Sequence, residues 1–378
     1  MMLLKNRTPE FLIGANVLAD AFATAFFSAG IGYVIVEVGI INFSQAMNAI
    51  GLGLLAGSFS SLILGRVADQ VGTRKLLSIV QVLQISTYLI FGYSTSQSTL
   101  IISIVTIFFL GRLVSPLRGA LPPRFMDRAT IIVYKTRLRT LTLITILCAG
   151  GAVSAVTIMN WRIKVFAVAI GVGCYLLCLL STTALSWCSE LPRQRTPQWF
   201  GVRTDAVLAS SEWGMWVYLL FTFSVVAIGV ALIPFVVAHA GKQVSWLLLA
   251  SSVIGIVINF AVHRGILKNG QLDRGLDRRL RNSLILVVSI LLASVAIALL
   301  MVLHLAQAGV LVFVLLMLVV FVLAHCGQTL ATVVAWDIQY SAGNEKDRAY
   351  IVALFSLTSS LGAGTAQFLA SYLFHTIH

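Results

Sequence analysis

The chain has 378 residues, of which 59% are hydrophobic and 10% charged, against the roughly 45–50% and 25% of a soluble domain. With a mean hydropathy of +0.96, and apolar stretches recurring along the whole length, a soluble protein and a single anchor beside a soluble domain are both excluded. The net charge of +13 would suit nucleic acid in a soluble protein, but the basic residues follow a membrane topology, so no nucleic-acid partner is expected.

Eleven apolar segments of spanning length are predicted, at about 11–34, 44–65, 76–95, 99–121, 138–159, 163–185, 213–238, 244–263, 283–303, 309–334 and 349–375. Each is near the ~20 residues that a bilayer requires. The expected fold class is an all-α, polytopic membrane protein of two helical bundles related by pseudo-two-fold symmetry. With the N-terminus in the cytoplasm, 23 of the 26 basic residues fall inside, leaving only Arg162, Lys164 and Lys242 outside. The positive-inside rule therefore predicts N-in topology, and an odd number of spans puts His378 outside.

The first segment follows Lys5 and Arg7 but runs past 20 residues and contains Asp20, so it reads as an uncleaved spanning helix rather than a signal peptide. Asp20 lies about 14 Å into that helix at 1.5 Å per residue. Asn16, Asp20, Thr24 and Ser28 recur every fourth residue and form one polar stripe. Intramembrane ionisable groups are costly and by default functional, so Asp20 is expected to carry a proton, with Asn16 and Thr24 beside it as solute contacts.

Between the second and third segments stands Gly65-Arg66-Val67-Ala68-Asp69-Gln70-Val71-Gly72-Thr73-Arg74-Lys75. It resembles the loop signature of the major facilitator superfamily, with Val67 in place of a usual Leu and Gln70 in place of a usual basic residue. Gly65 and Gly72 are expected to allow a short turn, Asp69 to serve as an anion at a helix N-terminus, and Arg74 and Lys75 to stay at the anionic inner lipid face. The resemblance implies two bundles that open alternately to the two sides and a gating role for Gly65, Asp69, Gly72, Arg74 and Lys75. It also implies that Asp69 bridges the bundles, near Ala349 and Tyr350. The family normally has twelve helices, so the eleven here depart from its pattern.

The third segment carries Gln81, Gln84 and Tyr88 on one face, a position usually towards lipid in that family. In the fourth, Arg112 lies at a depth that matches Asp20 and is the expected partner of its charge. Arg112 with Ser115 and Pro116 resembles the basic, kinked fourth helix of many family exporters. The fifth contains Ala149-Gly150-Gly151-Ala152, echoed by Gly362-Ala363-Gly364 in the eleventh. Small residues there allow close packing and suggest a repeat.

Residues 186–212 carry Pro192, Pro197 and three arginines and read as a cytoplasmic linker between a six-helix bundle over 1–185 and a five-helix bundle over 213–378. Trp213, Trp216 and Tyr218 open the seventh segment as an interfacial aromatic belt. The basic loop from Arg264 to Asn282 is a degenerate copy of the earlier signature. Asn259 in the eighth segment, and His325, Gln328 and Thr332 at helical spacing in the tenth, supply polar groups; Asn259, His325 and Gln328 are expected at the solute. Asp337 and Glu212 are solvated charges at inner helix ends.

Cys148, Cys174, Cys178, Cys188 and Cys326 form no C-x-x-C pair, so no metal site is implied and no cofactor is expected. No phosphate-binding G-x-x-x-x-G-K-[ST] occurs, so a gradient must drive any transport. No catalytic grouping can be assembled from the stripes, which argues against an enzyme. Three functions remain. Proton-coupled export of amphipathic or drug-like compounds is preferred, ahead of an uptake symporter or facilitator for a polar nutrient and a non-transporting receptor or immunity factor. The expected partners are a small-molecule solute, protons and the lipids of a bacterial cytoplasmic membrane, with monomer and homodimer both open.

Overall fold

The computed structural model describes residues 2–119, 121–126, 128–188, 213–268, 278–305, 309–341, 357 and 361–372. All regular structure among them is helical. The helices are α1 (Met2–Val38), α2 (Phe43–Val71), α3 (Thr73–Tyr93), α4 (Gln97–Gly119), α5 (Arg128–Ile158), α6 (Ile163–Ala184), α7 (Trp213–His239), α8 (Trp246–Lys268), α9 (Arg278–Leu305), α10 (Val310–Ser341) and α11 (361–372). Eight of them are long and apolar enough to cross a membrane, and large apolar side chains such as Ile102, Leu180, Phe260 and Leu311 are exposed on their outer faces. Such surface needs lipid around it. The chain is a multi-pass membrane protein.

Helix ends follow local chemistry. Gly39, with φ +64°, stops α1 while its N–H bonds back to the Ile35 carbonyl at 2.9 Å. Asn42 opens α2 through a reciprocal cap, its side chain accepting from the Gln45 N–H and the Gln45 side chain accepting from its own N–H; two otherwise orphaned donors are satisfied. The expected loop between the second and third segments is instead helical. α2 continues through Gly65 and Asp69 to Val71, and Gly72 alone, at φ +103°, turns the chain into α3. Only Gly72 of the two expected turn glycines is used as one, because a left-handed φ is cheap for glycine alone.

The chain divides into two compact units, Met1–Thr196 and Pro197–His378. In the first, α2 packs along α4, α1 lies against α5 and α6, and α3 lies against α4 and α6. Gly53 and Gly57 make the α2–α4 crossing possible: a Cβ on Gly57 would sit 2.6 Å from the Phe109 carbonyl oxygen and 2.8 Å from Arg112 Cβ. Gly171 does the same for α3 and α6, since a Cβ there would overlap the Tyr88 ring.

The first unit is layered along its helices. Leu77, Val114, Leu117, Leu121 and Leu185 belong to an aliphatic cluster at one end. At the other, Phe27 meets Tyr88, Phe91 and Phe108 edge-on or tilted. Polar side chains occupy the layer between.

In the second unit, α8 packs on α10, α9 on α10 and on α7, and α7 on α10. Gly362 of α11 abuts Phe223 and Ser224 of α7. The α2–α4, α3–α4 and α1–α5 contacts of the first unit thus recur as α8–α10, α9–α10 and α7–α11. The first unit differs in having α6 against both α1 and α3, whereas α7 and α9 pack directly on each other.

Candidate functional site

The middle layer of the first unit is organised around Asp20. Arg118, near the end of α4, donates from Nη1 to Asp20 Oδ2 at 2.8 Å, forming an ion pair in this layer. Its Nε donates to Asn16 Oδ1, also at 2.8 Å, one turn earlier on α1. Tyr175 of α6 donates its hydroxyl to the other carboxylate oxygen, Oδ1, at 2.6 Å. Gln84 of α3 donates from Nε2 to the Tyr175 hydroxyl at 3.2 Å and to the Ile107 carbonyl of α4 at 3.0 Å. Three helices therefore meet at one carboxylate and a fourth, α3, reaches it through Tyr175, which stands midway along the span Ile163–Trp187.

The site is dry. Arg118 is 8% exposed and its side chain 9%, against 18% for that of Asp20. A guanidinium suits this place because its planar fork serves two acceptors at once. Among the described residues its Nη2 nevertheless has no hydrogen-bond partner, and neither has Gln84 Oε1 nor either amide atom of the fully buried Gln81. Buried polar groups are usually paired, so these atoms mark the layer as one not optimised for stability alone.

Several expectations change. Arg112, expected to pair with Asp20, is not its ion-pair partner; that role falls to Arg118, six residues on. Arg112 keeps its Cβ against α2 at Gly57 and senses Asp20 only through space. Asn16, expected at the solute, is fully buried, and its amide nitrogen donates to the Cys178 carbonyl, Ser181 and Thr182. Both of its N–H protons are committed to α6, and its Oδ1 receives Arg118 Nε. The stripe also breaks, because Thr24 is exposed and Ser28 half-buried while Asn16 is interior. Gln81, Gln84 and Tyr88 face the interior, not lipid.

Arg74 donates to the Leu185 carbonyl at the end of α6, at 2.8 Å, rather than standing free at the lipid face, while Lys75 is exposed. The contacts of Asp69, and its expected bridge to Ala349 and Tyr350, lie outside the described residues. So do the side chains of Ser115, Pro116, Trp213, Trp216 and Asp337, and residues 189–212 and 269–277 of the expected linker and second signature.

In the second unit, His325 Nε2 lies 3.0 Å from the Ser251 hydroxyl of α8, with its ring against Gly255. It joins α10 to α8. Asn259 donates to the Gly255 carbonyl of its own helix, Thr332 likewise to the Gln328 carbonyl, and Gln328 is exposed. Tyr218 packs against a core cluster of Leu219, Leu286 and Val334. His325 also interacts with the Gln328 side chain one turn on along its own helix.

Sequence reasoning missed Arg118, Tyr175 and Gln84. Arg118 was counted among cytoplasmic charges because it sits at the end of its segment near Arg124 and Arg128. A signal for Tyr175 was present: Tyr175, Cys178 and Thr182 recur at helical spacing, the pattern of a buried stripe.

No protein-family model matches the chain, and no curated sequence does. Solved structures do. A point mutant of the nucleoside transporter NupG matches with a TM-score of 0.76 at 12% identity, covering 97% of this chain and 92% of that one. An auto-inhibited POT family peptide transporter matches at 0.75 and 11%, covering 97% and 89%. A POT peptide transporter mutant in complex with sulfate matches at 0.72 and 13%, covering 96% and 88%. The chain has the fold of these transporters.

Proposed function

We propose that the chain is a secondary transporter of the major facilitator superfamily, seated in a bacterial cytoplasmic membrane with its N-terminus inside, which moves a small polar solute by alternating access coupled to protons. The observation that carries this reading is the Asp20–Arg118 ion pair, held by four helices in the middle layer of the first unit. Apolar residues of similar volume would often stabilise such a place as well or better. Ionisable groups at membrane depth mark ion and solute pathways instead. When its cationic neighbour moves away, a buried acid favours its neutral form. Proton uptake at Asp20 therefore follows from any motion that separates α1 from α4, and repeat-built transporters rock in this manner.

A polar solute is favoured because the unit is polar in its middle layer, and because the similar structures carry nucleosides and peptides by name. Thr24 and Gln328, exposed on α1 and α10, are the solute contacts of this reading. Export of amphipathic compounds is the second reading. It is favoured by the two arginines that α4 brings within range of Asp20, the exporter-like feature of the sequence. Purified protein in proteoliposomes, with a pH-sensitive dye inside, separates the readings. Symport acidifies the lumen when a nucleoside or peptide is added outside, and antiport makes it alkaline when a lipophilic cation is added. No pH change with nucleosides, peptides, sugars or lipophilic cations would remove proton-coupled transport.

A further inference from the structure

Each hydrogen bond around Asp20 has a direction, and two backbone carbonyls set it. A carbonyl oxygen can only accept. At one end, the Ile107 carbonyl lies 3.0 Å from the Gln84 side-chain amide, so that amide must present Nε2 there. The same Nε2 faces the Tyr175 hydroxyl at 3.2 Å. Tyr175 therefore accepts from Gln84, and its single proton is left for Asp20 Oδ1, at 2.6 Å. At the other end, the Cys178 carbonyl orients the Asn16 amide in the same way, so that Asn16 Oδ1 receives Arg118 Nε and Arg118 Nη1 is aimed at Asp20 Oδ2. Both carboxylate oxygens thus receive donors, and neither faces an acceptor to which a protonated Asp20 could donate.

We propose that Gln84 is a positioning residue that holds Asp20 in its proton-free form by way of Tyr175. This rests on the reading of Asp20 as the proton carrier and adds what controls its loading. For Asp20 to take a proton with Arg118 in place, Tyr175 must turn its hydroxyl away. The available acceptor is Gln84 Oε1, which has no partner among the described residues, but swinging it to Tyr175 would set it against the Ile107 carbonyl, two acceptors face to face. The Ile107 carbonyl of α4 therefore opposes the flip for as long as α3 and α4 keep this register. A slide of α4 along α3 releases Gln84, then Tyr175, then the proton site.

The charged and titratable groups around Asp20 are Arg112 and Arg118 on α4, Tyr88 on α3, and Cys174, Tyr175 and Cys178 on α6. On α5, Tyr134 faces Arg118. Among the described residues, Tyr175 and Arg118 hydrogen-bond to the carboxylate itself.

The test is an infrared titration of the purified full chain, following the protonated carboxyl band that disappears in Asp20→Asn. Gln84→Met and Gln84→Leu both keep a similar volume and remove the donor without adding a carboxyl group. Both should move the appearance of the band to higher pH, by on the order of one unit for the loss of one directed hydrogen bond. In a Tyr175→Phe background, the Gln84→Met shift should vanish, because Gln84 acts only through that hydroxyl. An unmoved band in Gln84→Met, or an equal shift with and without Tyr175, would overturn the proposal. The readout needs no solute. Absent flux with a shifted band would count against transport alone, and normal flux with an unshifted band against Gln84 alone.

Discussion

Arg118 and Asp20 meet at 2.8 Å across 98 positions of sequence, and the same guanidinium also holds Asn16, one turn away on α1. One side chain thereby fixes both the position of α4 against α1 and the charge state that α1 presents. Removing it should hurt more than removing any other arginine of the unit. Arg118→Ala leaves Asp20 buried without its cation, a loss of about 3–5 kcal/mol for a broken buried pair. Arg112→Ala leaves the hydrogen bonds of Asp20 to Arg118 and Tyr175 intact. Thermal unfolding in detergent should therefore show a large drop in Tm for Arg118→Ala and a smaller one for Arg112→Ala. Adding Asp20→Asn should recover part of the first loss and none of the second.

Asn16→Ala should behave as a structural lesion. The Asn16 amide bonds Cys178, Ser181 and Thr182 on α6 and accepts from Arg118 on α4, so its removal strands a buried guanidinium N–H. Loss of a bond to a charged group costs roughly 1.5–3 kcal/mol. Solute affinity, measured by calorimetry on the folded fraction, should stay within about twofold, far below one decade of Kd. A tenfold loss of affinity without loss of Tm would return Asn16 to the solute.

The α2–α4 crossing tolerates no added volume. Gly57→Ala puts a methyl group 2.6 Å from the Phe109 carbonyl oxygen and 2.8 Å from Arg112 Cβ. Backbone must move, because the nearest atom is a main-chain oxygen. The cost is about 1–3 kcal/mol, as for other overpacked sites. Gly111→Ala, whose nearest neighbour is the Gln84 side chain at 3.9 Å, is the matched control and should unfold close to the parent.

Gly72 should be sensitive for a different reason. It has open space around its missing side chain but a φ of +103°, so Gly72→Ala is strained by conformation alone, by about 1–2 kcal/mol. Gly92→Ala supplies the contrast: no unusual φ is present, but a Cβ would meet Val168 at 3.0 Å, a flexible contact that can yield. Comparing Tm for the two variants separates backbone strain from crowding.

Much of the fold was legible because hydropathy over a membrane span is a strong, local signal. The helices follow the expected segments in order, and their bounds moved mainly because helices outrun the bilayer, as α2 does in continuing to Val71. Asp20 was legible as an acid in an apolar run. Its partner was not, since a basic residue at a helix end is also what the inner membrane surface attracts, and a count of charges cannot tell Arg118 folded inward from Arg124 beside it. Gln84 and Tyr175 were hidden by a different ambiguity. A single amide or phenol suits lipid headgroups, helix contacts and buried networks alike, and only the crossing of α3 with α6 at Gly171 brings the two together.

The central claim is that Asp20 carries the coupled proton, and pH-driven flux through Asp20→Asn in proteoliposomes tests it most directly. The amide can still accept from Tyr175 or Arg118, so the variant should fold and exchange solute down its own gradient, while an imposed pH gradient should no longer drive accumulation or extrusion. Asp20→Asn vesicles that move solute uphill as fast as the parent under the same pH gradient would contradict it.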